Sequence, residues 1–376
     1  MINLRTNLNI ISGNKKIYSI KKLIKELGYK HPLLIVDYNL KKKNRYFSIF
    51  LKKNKFLNID FYDYKFEPSY ELLDLKIKEY KKKNLQKKID VIIAIGGGST
   101  IDYAKGIALL LKNLNKKPIS FKGFPIKYNL PIPVVAIPST CGTGSEVVFN
   151  ASFIHEKSKT KLGINIKDNY PILSILDPGL IRNSPKKVMY SSLSDTLVHI
   201  IEGFISIKSN KISRYFSKIA FDLFNENIKS IFDNNPSNSN LLNLQWASSF
   251  AMIGMSNSSH GISGALSYFL GTHYGINHGI AGGFFLKKIC YLNYKKGYTD
   301  LALLSNSMSK SKNLRNKEIL NFIFEILELF FYEFDIANIG KKLKNDIHFK
   351  KYLSNINSTF SLNPVKVSKK NIMDLL

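Results

Sequence analysis

Residues 89–110 read IDVIIAIGGGSTIDYAKGIALL. The first seven residues are apolar except for Asp90. That near-continuous run is the pattern of a strand buried on both faces of a parallel sheet, not of an alternating, half-solvated one. It leads directly into Gly96-Gly97-Gly98-Ser99, and residues 100–111 then read as a helix in which Ala104 and Ala108 allow close packing. Strand, glycine turn and helix make the α/β unit of a nucleotide-binding domain. Glycines permit positive φ and close backbone approach. The first N–H groups of the helix are then open to a phosphate. Ser99 either bonds the same group or caps the helix. Asp102 and Lys105 lie three apart on one helix face, as a surface ion pair or as neighbours of a cofactor. The turn is neither a G-x-G-x-x-G fingerprint nor a P-loop.

Upstream, residues 14–27 have the spacing of an amphipathic helix, and Gly28 follows as its C-cap. Residues 33–36 form a short apolar strand ending at Asp37. A lysine-rich helix–strand stretch continues to about Glu67, and residues 72–88 read as a further helix. In a doubly wound sheet the carboxyl end of a strand faces the ligand crevice. Asp37 there would accept from ribose hydroxyls and repel a 2′-phosphate, which favours NAD over NADP; the alternative is a helix cap. Downstream, a strand at 134–137 enters Pro138-Ser139-Thr140-Cys141-Gly142-Thr143-Gly144-Ser145-Glu146. Such a run of hydroxyls and glycines suits a pyrophosphate and nicotinamide site, with Glu146 capping or starting the next element. Lys161 either reaches a ribose or phosphate or is simply solvated.

Helical periodicity dominates from about residue 185. The division near 183 gives an α/β nucleotide domain at 1–183 and a helical domain at 184–376. Helices are expected at 196–207, 213–232, 243–255, 258–271, 280–294 and 318–331, with a helical tail beyond about 337. Three of the seven histidines, His260, His273 and His278, fall within one 19-residue window. His199 follows Asp195 by four residues, which places both on one helix face. Carboxylate and imidazole donors suit Fe²⁺ or Zn²⁺; the bland alternative is an isolated surface pair. Together with the two turns, they suggest hydride transfer to or from nicotinamide while a Lewis-acidic ion holds the alcohol or aldehyde oxygen. A neighbouring histidine would relay the proton.

Bulk properties set the frame. The 376 residues suit two domains, and 44% apolar content suits real cores. The formal charge is +29, from 56 Lys+Arg against 27 Asp+Glu. The lysines are spread from end to end in no nucleic-acid-binding motif, so a solvated basic surface is expected and nucleic acid is not. Such a surface still attracts acidic substrates and phosphorylated cofactors. Cys141 and Cys290 form no C-x-x-C pair. No signal-peptide core or membrane-length apolar run is visible, so the expected location is cytoplasmic and off the membrane.

Four blocks now resemble one family: GGGSTIDYAKG at 96–106, PSTCGTGSEV at 138–147, SDTLVHIIEGF at 194–204 and HYGINHGIA at 273–281. Their order and spacing resemble the iron-containing (group III) alcohol dehydrogenases, relatives of glycerol dehydrogenase and dehydroquinate synthase, over roughly residues 30–290. The resemblance implies a Rossmann-like nucleotide domain, an all-α metal domain, an active site in the cleft between them, and a homodimer or larger assembly. It implies Asp37 at the adenosine ribose; Gly97, Gly98 and Ser99 at the pyrophosphate; Ser139, Thr140 and Thr143 along the cofactor; and Lys161 near a ribose, with Asp102 a further cofactor-binding candidate. It places Asn150 in the substrate pocket and makes Asp195 and His199 the first two metal ligands.

The later histidines depart from the family pattern of His-x-x-x-His and a final His. Counting back from His278, the usual third-ligand position is Gly264. A one-turn insertion is therefore inferred, with His260 and His278 completing the ligands and His273 left as the proton relay. The rival arrangement uses His260 and His273 as ligands and makes His278 the relay. The variant pattern resembles two subgroups acting on acids, 3-deoxy-manno-octulosonate 8-oxidase-like and phosphonoacetaldehyde reductase-like enzymes. A dehydroquinate synthase-like lyase and a degenerate non-catalytic homologue are the alternatives.

Overall fold

The computed structural model describes residues 6, 9–63, 67–305 and 312–376. The end of the lysine-rich stretch, residues 64–66, lies outside them. The chain divides into two compact units: one holds Thr6–Ser184 with Asn227–Ser249, the other Pro185–Glu226 with Phe250–Leu376. The first unit thus gains a segment from beyond residue 183. The reason is visible on that segment: Ser249 Oγ donates to Glu146 Oε1 at 2.6 Å, and Gln245 Nε2 to the Pro138 carbonyl at 3.4 Å.

In the first unit the strands are β1 (Ile10–Ser12), β2 (Pro32–Asp37), β3 (Asn58–Tyr62), β4 (Val91–Gly96), β5 (Val134–Pro138), β6 (Asn150–His155), β7 (Thr160–Asn165) and β8 (Leu173–Leu176). Six of them form a sheet in the order β1-β8-β5-β4-β2-β3, with every pairing parallel. The helices are α1 (Ile20–Glu26), α2 (Tyr38–Lys43), α3 (Arg45–Lys53), α4 (Tyr70–Lys82), α5 (Gly98–Leu111) and α6 (Pro178–Ile181). Side chains alternate between faces along a strand, and two cores result. Leu33, Ile35, Ile92 and Ala94 pack with α4 and α5; Leu34, Val36, Ile93 and Ile95 pack with α1 and α3. β2 has β3 on one flank and β4 on the other, so the chain order reverses there. At such a switch point the carboxyl ends of the strands open toward a ligand.

Three expectations change here. Helix 14–27 begins as a 3-10 turn, Lys16–Ser19, before α1. Helix 72–88 is α4, which stops at Lys82; Asn84 then turns with φ 52°. Residues 150–165 form an antiparallel hairpin, β6–β7, that the sequence reading does not contain.

The helices beyond are α7 (Lys186–Ile205), α8 (Lys211–Phe232), α9 (Asn238–Ser256), α10 (Ile262–Tyr274), α11 (His278–Lys295), α12 (Lys312–Phe331), α13 (Ile339–Asn345), α14 (Ile347–Asn355), α15 (Asn357–Phe360) and α16 (Lys369–Leu375). α7 starts ten residues before the expected 196 and is buried over nearly its whole length from Met189. Buried on all sides, it has no amphipathic period to mark its start. Residues 258–261, expected to be helical, are not: α10 begins at Ile262. Among the described residues no helix is long and apolar enough to cross a membrane.

Candidate active site: a phosphate cradle and a carboxylate–imidazole cluster

At the switch point the ends of β2, β4 and β5 lie side by side. Val36 is in register with Ile95, and Gly96 with Pro138. Ser139 N donates to the Gly96 carbonyl at 2.9 Å, joining the two turns that follow these strands. A Cβ on Gly98 would come within 2.5 Å of Thr143, and one on Gly97 within 3.3 Å of Thr140. The third glycine is therefore required by the hydroxyl-rich turn packed over it, and the second is closely covered by the same turn. Gly97 is the N-cap of α5 and offers no side-chain cap. Thr100 N bonds the Gly97 carbonyl at 3.0 Å, and the N–H groups of Gly98 and Ser99 at the head of α5 are the candidates for a ligand, with the hydroxyls of Ser99, Thr140 and Thr143.

Asp37 caps α2, its Oδ1 accepting from Asn39 N at 2.8 Å. Burial pushes its pKa up, partly offset by these backbone bonds. Asp102 is not on a solvated face. Its Oδ1 accepts from Ser145 Oγ at 2.5 Å and its Oδ2 from Ser152 N at 2.9 Å. Lys105 is wholly buried, which corrects the surface ion pair. Its Nζ donates to the Ser145, Val148 and Asn150 carbonyls at 2.7, 2.7 and 3.0 Å and to Ser145 Oγ at 3.0 Å. Asp102 and Lys105 together pin residues 145–152 to α5. The signal in the sequence is α5 itself: apolar residues surround Lys105 on every side, so that helix has no wet face. Asn150 donates to Asn165 Oδ1 at 2.7 Å across the hairpin, and Lys161 pairs with Glu67 at 2.7 Å.

In the other unit, Asp195 and His199 lie on α7 and are both nearly inaccessible, at 4% and 6% exposure. His278 is the first residue of α11, and a run of small residues brings it to them. A Cβ on Gly279 would fall on the Ser191 carbonyl oxygen, and one on Gly282 would press on Val198 at 3.1 Å. Ser194 Oγ donates to the Gly279 carbonyl at 2.8 Å. His199 Nε2 is then 3.4 Å and His278 Nε2 3.8 Å from Asp195 Oδ1. The second separation, and the first to a lesser degree, is long for a hydrogen bond.

A divalent ion fits this donor set, with some closing in. Ligands at about 2.0–2.1 Å in a tetrahedron are roughly 3.4 Å apart. The Asp195–His199 separation is such an edge; the His278 edge is wider. Among the described residues no trio of His, Cys, Asp or Glu already stands at ligand spacing, so an ion held here would need His278 drawn inward. His199 Nδ1 is buried without a hydrogen-bond partner. Two imidazoles and one carboxylate with open positions are a set that suits Fe²⁺.

The remaining histidines fall elsewhere. His273 is exposed at the end of α10, stacked on Phe269 with ring centroids 4.0 Å apart, with Nδ1 2.9 Å from Thr272 Oγ1. His260 is exposed in the irregular stretch ahead of α10, not on an extra helical turn. Gly264 is explained by Glu202, a buried carboxylate one turn beyond His199 that the sequence reading missed. It accepts from Gly261, Ser263 and Gly264 N at 2.9, 2.6 and 3.1 Å. A negative charge at a helix N-terminus is favourable. A Cβ on Gly264 would stand 3.1 Å from Glu202 Oε2, so a ligand side chain there would meet a carboxylate already engaged.

Two family models together match most of the chain. Residues 7–178 match the iron-containing alcohol dehydrogenase family, and residues 189–376 match the C-terminal part of the Fe-containing alcohol dehydrogenase family. Alcohol dehydrogenase 4 of Schizosaccharomyces pombe is 29% identical over 274 residues, covering 72% of this chain and 64% of the relative. The 4-hydroxybutyrate dehydrogenase of Clostridium kluyveri is 33% identical over 234 residues, covering 61% of each. Hydroxyacid-oxoacid transhydrogenase of Caenorhabditis briggsae is 30% identical, covering 65% of this chain and 57% of the relative. The chain thus spans about six-tenths of the length of these curated relatives. The structure of the alcohol dehydrogenase from Oenococcus oeni superposes with a TM-score of 0.85 at 21% identity, covering 100% of this chain and 99% of that one. An α/β sheet ending in a glycine cradle, an all-α unit carrying Asp195 and His199, and two family matches spanning both place this chain in the iron-containing alcohol dehydrogenase family.

Proposed function

We propose that this chain is a metal-dependent, NAD(P)-linked alcohol dehydrogenase or aldehyde reductase. The observation that carries the reading is the buried Asp195 carboxylate facing two imidazole nitrogens, at 3.4 and 3.8 Å. When bound, a divalent ion such as Fe²⁺ or Zn²⁺ would polarise the substrate carbonyl, and nicotinamide would supply or accept the hydride. Asp195, His199 and His278 hold the ion, and exposed His260 is the candidate fourth ligand. Gly97, Gly98, Ser99, Ser139, Thr140 and Thr143 cradle the dinucleotide. Asp37, at the end of β2, favours NAD by repelling a 2′-phosphate. Asp102 acts behind the cradle, through Ser145. Lys161 serves the ribose side and Asn150 the substrate. His273, exposed and bonded to Thr272, is the residue that passes a proton to solvent.

The substrate we infer is an acidic hydroxy acid or its aldehyde, of the sugar-acid, phosphonate or short carboxylate kind. The +29 charge supports this, as do two relatives named for hydroxy acids. Cys141 and Cys290, both buried and neither in a disulfide, are in keeping with a reducing, cytoplasmic setting. The test follows NADH and NADPH absorbance with neutral and acidic aldehydes, before and after chelation. Turnover that chelation removes, Fe²⁺ or Zn²⁺ restores and His199→Ala abolishes is expected. Turnover indifferent to chelation and to that variant would refute the metal reading. Light scattering on the same sample reads the expected homo-oligomer.

A further inference from the structure

The His278 ring is held from behind by a buried hydroxyl. Ser267, wholly buried on α10, has its Oγ 2.8 Å from His278 Nδ1 and 2.6 Å from the Gly264 carbonyl three residues earlier. A carbonyl oxygen has no proton to give, so the bond to Gly264 uses the hydroxyl hydrogen of Ser267. Helical serines commonly bond back to their own helix in this way. The Ser267 oxygen can then meet His278 Nδ1 only as an acceptor. The ring therefore carries a proton on Nδ1, and in its neutral form the lone pair is on Nε2. That nitrogen faces Asp195 Oδ1 at 3.8 Å. In that form two acceptors face each other, an arrangement that a cation between them, whether a proton or a metal ion, makes favourable. Tyr268 holds the ring's plane, stacked at 5.2 Å and 14°.

We infer that Ser267 is a positioning residue for the ion: through the chain from His278 Nδ1 to Ser267 to the Gly264 carbonyl, it fixes the His278 tautomer and aims Nε2 at the metal position. The inference rests on reading Asp195, His199 and His278 as ligands. Partners behind ligating histidines characteristically set tautomer and ring orientation in this manner. Ser267 is one turn from the glycine held by Glu202, so the same helix start that crowds a side chain at 264 supplies the carbonyl that orients Ser267.

The experiment compares wild type, Ser267→Ala and Ser267→Thr. Nitrogen-15 spectra of the histidines, with His278 assigned by its loss in His278→Gln, read the tautomer. Competition with a chromophoric chelator reads Zn²⁺ affinity. Wild type is expected to show Nδ1–H both metal-free and Zn²⁺-loaded. Ser267→Ala is expected to mix tautomers and weaken Zn²⁺ by about 10–100-fold, the usual effect of losing such a partner. Threonine, whose hydroxyl can make the same backward bond, is expected to restore both, which a general packing defect would not allow. Wild-type affinity and tautomer in Ser267→Ala would overturn the inference and leave the metal reading standing. Wild-type protein that takes up no Zn²⁺ would overturn both.

Discussion

Gly279 lies so close to Ser191 that any side chain at 279 would strike the Ser191 carbonyl oxygen. This contact lets the head of α11 sit on α7 with His278 beside Asp195. Gly279→Ala is therefore expected to push α11 outward and part the cluster. Overpacking of this kind costs about 1–3 kcal/mol. A lowered melting temperature together with lost Zn²⁺ uptake is expected. Full uptake in a stable Gly279→Ala protein would mean the two helices need not approach so closely.

The two histidines of the HYGINHGIA block have different surroundings, and their variants should separate. His278 faces Asp195, whereas His273 stacks on Phe269 at the exposed end of α10. His278→Ala should lower metal content far more than His273→Ala, measured by elemental analysis of the purified proteins. His273→Ala should keep its metal and lose a modest part of turnover. The reverse ranking would favour the arrangement in which His273 is the ligand.

Gly98 tests the cradle. Alanine there brings Cβ to 2.5 Å from Thr143, so the second turn must move off the first helical turn of α5. Losing one hydrogen bond to a charged phosphate costs about 1.5–3 kcal/mol, or roughly 10–150-fold in affinity. NADH fluorescence titration of Gly98→Ala should show that weakening while metal content stays at the wild-type level. Unchanged NADH affinity would remove the cradle from the cofactor site.

What could be read from the sequence follows from how local its causes are. The β4–α5 turn is legible because strand, glycines and helix are contiguous and the glycines are needed where they stand. Asp195 and His199 are legible because helical spacing alone places them together. The start of α10 is not, because its cap is Glu202, some sixty residues earlier on another helix. Without that partner, residues 258–261 look like the beginning of the helix and His260 looks like a residue on its face. The place of residues 227–249 is hidden for the same reason, since it depends on Ser249 and Gln245 meeting Glu146 and Pro138 more than a hundred residues away. Lys105 was misjudged by charge, although its helix has no polar side to receive it.

Lys105 also carries a signature in pH. Burial pushes its pKa down from 10.5 to about 8, against the pull of Asp102 and Glu146. Between those values the unfolded chain holds the proton more firmly than the native chain, so this group's contribution to stability rises as pH climbs through the window. Below about pH 8 the cost of the buried charge is constant. Lys105→Met removes the titration and leaves the Ser145, Val148 and Asn150 carbonyls without their donor. Each orphaned carbonyl costs about 1 kcal/mol or more, so the variant should melt lower at every pH. The stability gap to wild type should also widen from pH 7.5 to pH 10, because wild type alone gains across that interval. Urea unfolding of both proteins at the two pH values measures it. A gap that stays constant would place the ammonium at its ordinary pKa, with its four oxygen partners fully offsetting its burial.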